Sequence, residues 1–345
     1  MTVTHPLLVP IRELHRKLRS LVLAACRERT TEELAAVADD GDGDTIFAID
    51  KIGEELLVRE LAETAGAHGG IVLVAEGISG GKLSLPLGQS AASCRYRIIV
   101  DPIDGTRGLM YQKRPAWILT GVAPNLGDAT SLSDIEFSVQ TEIPLIKQNL
   151  SDELWAERGK GAFAERLNLS TGERTALAMR PSRANGIEQG YAMIARFFPG
   201  ARDELAAVDD AIVHRLLGPS PQGKAHCFED QYPSTGGQLY ELMVGHDRFV
   251  ADLRPLLSNV LRSRGLPLGL CCHPYDICTA LIAEELGVIV RNPMGGPISY
   301  TLDVELDVSW AGYANAQLAR RIEPIMQEVL LERGLAEVQT GGQLA

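Results

Sequence analysis

The chain has 345 residues, 45% of them hydrophobic, and a formal net charge of -12, so it is long enough for one large core or two of middle size. The acidic balance and the lack of a Lys/Arg run argue against a surface for nucleic-acid polymers and leave small, locally neutralised phosphates as the anions it can bind. Six cysteines form no CxxC pair, and Cys271 and Cys272 are adjacent, a pattern that reads as reduced thiols in a cytoplasmic protein. No basic-then-apolar leader and no apolar run of about 18 residues points to a membrane.

Taken in chain order, the first 70 residues read as helices. Apolar residues recur at helical spacing in "LHRKLRSLVLAACRE", and in "AIDKIGEELLVRELAETAG" Ile49, Ile52, Leu56 and Leu57 make a stripe that leaves Asp50 and Glu54 off it. "GGIVLVAEGIS" and "YRIIVDPIDG" are short apolar runs bounded by turn residues, as buried strands are, and each ends on an acid, Glu76 and Asp101. "WILTGVAPN", "FSVQTEIPLI" and "DELWAERGKGAFAE" read as further strands, the last folded on a Gly-Lys-Gly hairpin. From about residue 185 strand-like and helical segments alternate again. "AIVHRLLG" comes first, then "GGQLYELMVGH" as a helix, "RFVADL" as a strand, "YDICTALIAEELG" as a helix and "VSWAGYAN" as a strand, before a final amphipathic helix in "AQLARRIEPIMQEVLLERG". No repeat or long linker divides these segments, so the expectation is one continuous α/β body over residues 1–345.

The chemistry concentrates in "DPIDGT", residues 101–106. Pro102 fixes φ, which lets Asp101 and Asp104 converge in spite of their repulsion, and oxygen ligands on short, rigid attachments are what Mg²⁺ requires. Gly105 and Thr106 stand at a helix start whose unpaired N–H groups suit an anion brought by the metal. Taken singly these residues have plain readings: Asp-Pro-x-Asp-Gly as a turn, Glu76 as a solvated strand end, Asp276 as a helix N-cap.

In order and context, however, six segments resemble the inositol monophosphatase family of Mg²⁺-dependent phosphatases, which includes fructose-1,6-bisphosphatases and nucleotide 3'-phosphatases. They are "DTIFAIDKIGEELL", "IVLVAEGIS", "IIVDPIDGT", "ELWAERGKGAF", "YDICTALIAEELGVIV", and "NPMGGPIS" followed by "AGYANAQLARRI", spanning roughly residues 10 to 335. The resemblance implies an α/β (α+β) fold, a layered α-β-α-β-α sandwich, with a metal-binding half over about 10–180 and a second α/β half over about 181–335. It implies Glu76, Asp101, Asp104, Asp276 and the Ile103 carbonyl as ligands of two or three Mg²⁺ ions. Gly105 and Thr106 would bind phosphate, Asp50 and Thr106 would prepare a water with Glu76 in support, and no covalent phosphoenzyme is needed. Asp252 and Asp276 would face the substrate, a small phosphorylated polyol or sugar, and the protein would be a homodimer.

The chain departs from the family pattern at named places. Gly77 follows Glu76 where a second acid is common, Tyr275 precedes Asp276 where Trp is common, Leu253 to His273 reads as an insertion, and residues 180–222 match poorly. Ser234 or Thr235 in "STGGQ" can N-cap a helix, and His226, His246 and His273 lack metal-ligand spacing and read as ordinary histidines. Inositol monophosphate leads as substrate, with fructose 1,6-bisphosphate and nucleotide 3'-phosphates next. A non-catalytic sugar-phosphate-binding protein is the alternative of another class. A Rossmann oxidoreductase and a P-loop kinase are disfavoured by the absence of GxGxxG after a strand and of GxxxxGK[ST].

Overall fold

A large and a small sheet with helices on and between them, and a separate two-stranded pair of Val37–Asp39 with Ile46–Phe47, make up the computed structural model, which describes residues 4–39 and 46–337. The larger sheet has eight strands in the spatial order Arg174–Ala176, Ala162–Asn168, Leu150–Glu157, Phe137–Ile143, Ala116–Pro124, Tyr96–Asp104, Ile71–Ala75 and Lys82–Leu85. Its pairs are antiparallel except Ile71–Ala75 with Tyr96–Asp104, which run parallel. The central strands are buried on both faces, which explains why they read as continuous apolar runs and not as alternations. The smaller sheet has the order Tyr191–Ile194, Asp247–Asp252, Trp310–Tyr313 and Ile289–Arg291.

The layers follow from which faces are apolar. Helices Leu8–Glu28 and Glu54–His68 cover the outer face of the large sheet, with Leu14, Leu18, Leu57 and Leu61 buried against Ile98, Ile118 and Val139. Thr235–Val244 and Ala280–Glu285 pack between the sheets, touching both. Arg202–Leu217 and Ala316–Glu332 pack on each other and on the far side of the small sheet. The result is the expected α-β-α-β-α sandwich. Among the described residues no helix is long and apolar enough to cross a membrane.

Two segments differ from expectation. "AIVHRLLG" is no strand but the C-terminal half of helix Arg202–Leu217, whose Leu205, Val208 and Ile212 recur at helical spacing on the buried side. The helix expected from Tyr275 begins only at Ala280, after a run of turns that holds Asp276. Asp50 likewise sits in a short 3₁₀ turn, Asp50–Ile52, ahead of the Glu54–His68 helix.

Candidate active site

A register shift brings the signature acids together. Asp101 pairs with Leu119 and Asp104 with Trp117, so three steps on one strand match two on its neighbour. In a regular strand residues three apart point to opposite faces; the extra residue at Pro102–Ile103 restores the parity and turns both carboxylates to one side. Proline suits this place because a bulge needs no ladder N–H there. The Ile103 N–H donates to Asp101 Oδ1 at 2.9 Å, closing the bulge over its own acid.

Asp104 is held from the next layer. Ser234 Oγ and the Gly236 N–H donate to Asp104 Oδ2 at 2.7 and 2.6 Å, and Ser234 Oγ also accepts from Gly237 N–H at 2.9 Å as the N-cap of Thr235–Val244. Gly236 permits this approach, since a Cβ there would lie 2.6 Å from Leu119 Cδ2 and 2.9 Å from Asp104 Oδ2. Ser234 is therefore the N-cap that "STGGQ" suggested, with a second task that sequence did not reveal.

Asp276 enters from the turns before Ala280, where its Oδ2 accepts the His273 N–H at 2.6 Å. Carboxylate oxygens of Asp101, Asp104 and Asp276 lie within 4.8 Å of one another. Burial, then the neighbouring Asp104, Asp276 and Glu76, drive the Asp101 pKa well above the carboxylate range, and burial with Asp276 pushes Asp104 up to about 8. Among the described residues no Lys or Arg forms an ion pair with any of the three. Glu76 lines the same cavity but stands outside this tight group.

On the adjoining side, the Thr106 hydroxyl lies 2.8 Å from Asp50 Oδ1 and 2.8 Å from the Ile103 carbonyl oxygen, and the Phe47 N–H fixes Asp50 Oδ2 at 2.8 Å. Gly105 takes φ +94° where the strand turns into the helix Thr106–Met110, and a Cβ there would press on Ser234 Cβ at 3.0 Å. Asp50, Glu76, Asp101, Ile103, Asp104, Gly105, Thr106 and Asp276 all line one cavity.

Asp252 does not join them. It is 1% exposed and takes both oxygens onto the Arg254 guanidinium, with Arg254 Nε 2.8 Å from Oδ1 and Nη2 on Oδ2. The cavity wall is made by Arg254 instead, with Phe197, Phe198, Cys271, Cys272 and His273. The family pattern pointed to the acid of "VADLR", and the arginine two residues on is what reaches the cavity. His273, read as an ordinary histidine, also stands here. Burial lowers its pKa, but the Asp276 carboxylate together with Asp307 and Glu76 more than offsets that and leaves the ring above its usual value. The Leu253–His273 segment contains two short helical stretches, Arg254–Leu257 and Ser258–Ser263, and is tied to the Arg202–Leu217 helix by Arg264, whose two Nη atoms lie 2.8 and 2.9 Å from the oxygens of Asp203.

No protein-family model and no curated protein matches the chain. Solved structures do. The extragenic suppressor protein SuhB from Bartonella henselae is 15% identical over 94% of this chain and 99% of its own, with a TM-score of 0.62. An IMPase from Thermotoga maritima is 16% identical over 93% and 96%, TM-score 0.56. The holo fructose-1,6-bisphosphatase of Leishmania major is 12% identical over 94% and 93%, TM-score 0.64. At these identities the likeness shows the fold alone, which this chain shares with the three solved structures.

Proposed function

We propose that this chain is a Mg²⁺-dependent phosphomonoesterase acting on a small polyol or sugar phosphate, with inositol monophosphate first and fructose 1,6-bisphosphate and nucleotide 3'-phosphates next. The observation that carries the reading is the convergence of Asp101, Asp104 and Asp276 within 4.8 Å beside the hydrogen-bonded Thr106–Asp50 pair. The fold supports the class, since solved structures that share it include an IMPase and a fructose-1,6-bisphosphatase.

The residues present fit Mg²⁺. The donors are oxygens on short side chains fixed by a bulge and a turn, and burial, then the neighbouring carboxylates, raises the pKa values of Asp101 and Asp104, a penalty on their charged forms that a bound cation would offset. Asp101, Asp104 and Asp276 would hold one ion, and Glu76 with the Ile103 carbonyl would extend the site to a second or third. When bound, Mg²⁺ offsets charge on the phosphoryl oxygens and acidifies water.

The chain's own groups complete the chemistry. Thr106 has one hydroxyl proton and two acceptors at 2.8 Å. When it donates to Asp50, its lone pairs are left to accept from water. A proton leaving that water is then held at Thr106 Oγ1 while the threonine's own proton passes to Asp50 Oδ1, which the Phe47 N–H keeps aimed. The Gly105 and Thr106 N–H groups, where the strand turns into the helix Thr106–Met110, would meet phosphate oxygens beside the proposed metal ligands. Asp276, which lines the same cavity, would face both the metal and the substrate. The test is phosphate release from a panel of inositol, sugar and nucleotide phosphates with Mg²⁺ and with EDTA. Turnover confined to Mg²⁺ and to polyol or sugar esters is expected, and no release from any ester would refute the reading.

A further inference from the structure

Part of the cavity wall alternates rings and guanidinium groups. Arg107 Cζ lies 5.4 Å from the Phe47 ring centroid and 5.1 Å from that of Phe198, while Arg254 Cζ lies 5.4 Å from Phe198 and 4.5 Å from Phe197. Such stacking favours the cations and fixes their planes. The Arg254 side chain is only 8% exposed, yet it lines the cavity.

Its hydrogen bonds can be counted. A guanidinium has five N–H donors. Here Nε and one Nη2 proton go to Asp252, and one Nη1 proton goes to the Leu270 carbonyl at 2.8 Å. One N–H remains on each of Nη1 and Nη2. Asp252, with both oxygens already on Arg254, offers the cavity no acceptor surface. The wall therefore presents donors only at this point, and the group that matches it is one that only accepts. An anion does so with charge-assisted bonds, whereas a hydroxyl would need a second partner for its own proton.

We infer that Arg254, aimed by Asp252 and laid against Phe197 and Phe198, receives a second anionic group, a phosphate or a carboxylate, on the leaving-group side of the substrate. The inference rests on the phosphomonoesterase reading and, within it, sets polyol phosphates that carry another anion ahead of inositol monophosphate. Asp252 is then a positioning residue, which acts through Arg254 and not on the substrate.

The test pairs a hexose bisphosphate with the matching hexose monophosphate, and 2-phosphoglycerate with glycerol 2-phosphate, so that phosphate and carboxylate are read separately. In the wild-type protein with Mg²⁺, kcat/KM is expected to favour the doubly anionic member of at least one pair by about 10-fold or more, the scale of a hydrogen bond to a charged group. Arg254→Gln should bring that ratio close to 1, and Arg254→Lys should keep part of it. Because Arg254→Gln strands a buried carboxylate, the double variant Asp252→Asn/Arg254→Gln, which leaves a neutral amide pair, is measured beside it after thermal unfolding has verified the fold. Calorimetric binding of the four compounds with Ca²⁺ in place of Mg²⁺ separates the two claims. If no ester is hydrolysed but Arg254-dependent binding of a doubly anionic compound persists, the phosphatase reading fails and the anion site stands. A wild-type preference of 1 or less in both pairs, by turnover and by binding, overturns the anion site, as does a preference that survives in the double variant.

Discussion

Thr106 Oγ1 stands 2.8 Å from Asp50 Oδ1, a contact between residues 56 positions apart that joins the 3₁₀ turn before one helix to the start of another. Neither residue belongs to the tight carboxylate group, so the pair can be altered while the proposed metal ligands stay. Thr106→Ala and Asp50→Asn should each lower kcat by about 10²-fold or more, the scale of general-base and positioning effects, with metal affinity nearly unchanged. Stopped turnover assays beside metal titrations check this. An equal loss of metal affinity would move the pair into the metal site.

Gly236 gives a second prediction. Gly236→Ala places a methyl inside contact distance of both Leu119 and Asp104 Oδ2, so the helix start must shift and the N–H bond to Asp104 must lengthen. A stability loss of about 1–3 kcal/mol by urea unfolding is expected, the range for overpacking, together with weaker Mg²⁺ affinity. A loss of stability with metal affinity intact would mean that Asp104 does not depend on this donor.

The buried acids make the metal-free protein sensitive to pH. Asp104 has its folded pKa raised to about 8, against about 3.9 in an unfolded chain. The folded state thus binds the proton more tightly. Its contribution is full below the unfolded value and is lost as pH rises through about 8, by up to about 1.4 kcal/mol per pH unit between. Burial raises Glu142 and Asp247 to about 7 and Asp209 to about 6, so they titrate in the same window. They do not line the cavity, and the comparison with and without Mg²⁺ subtracts them. The Tm gain on adding Mg²⁺ should grow from pH 5 to pH 8, because the cation competes with protons for Asp101 and Asp104. A gain that is flat across this range would place the binding on other groups.

Asp252→Ala removes the partner of a buried guanidinium. Arg254 and Asp252 side chains are 8% and 1% exposed, so the cost is the stranded charge more than the lost attraction. A destabilisation of about 3–5 kcal/mol is expected from denaturant titration, with Asp252→Asn milder because an amide oxygen can still accept. Near-wild-type stability of Asp252→Ala would show that the pair is solvated.

Much of this was legible in the residues themselves. Double-sided burial made the central strands continuous apolar runs, and the order of Glu76, Asp101, Asp104 and Asp276 along the chain pointed to the site before any geometry was known. The bulge was implied by Pro102, but its effect on side-chain parity needs the register with Leu119 and Trp117. Arg254 was not legible. "VADLR" contains an acid and a base of equal claim, and only the burial of Asp252 behind Arg254 says which one meets the cavity. Phe197 and Phe198 lie in the stretch that matched poorly, and nothing local marks them as wall residues. "AIVHRLLG" misled because a helix's last turns, taken without the Leu205–Val208 portion, look like a short apolar strand.

The most direct test of the central claim, that the converging carboxylates form a catalytic metal site, is one paired measurement on the wild-type protein and Asp101→Asn: Mg²⁺ binding by calorimetry and phosphate release from inositol monophosphate and the sugar phosphates at the same Mg²⁺ concentrations. Asp101 is a buried member of the group, and its replacement would remove charge and ligand geometry together. The account predicts that wild-type turnover rises with Mg²⁺ occupancy and vanishes in EDTA, and that Asp101→Asn loses both binding and turnover while remaining folded. Full wild-type turnover in EDTA, or an Asp101→Asn protein that binds Mg²⁺ and releases phosphate as the wild type does, would contradict it.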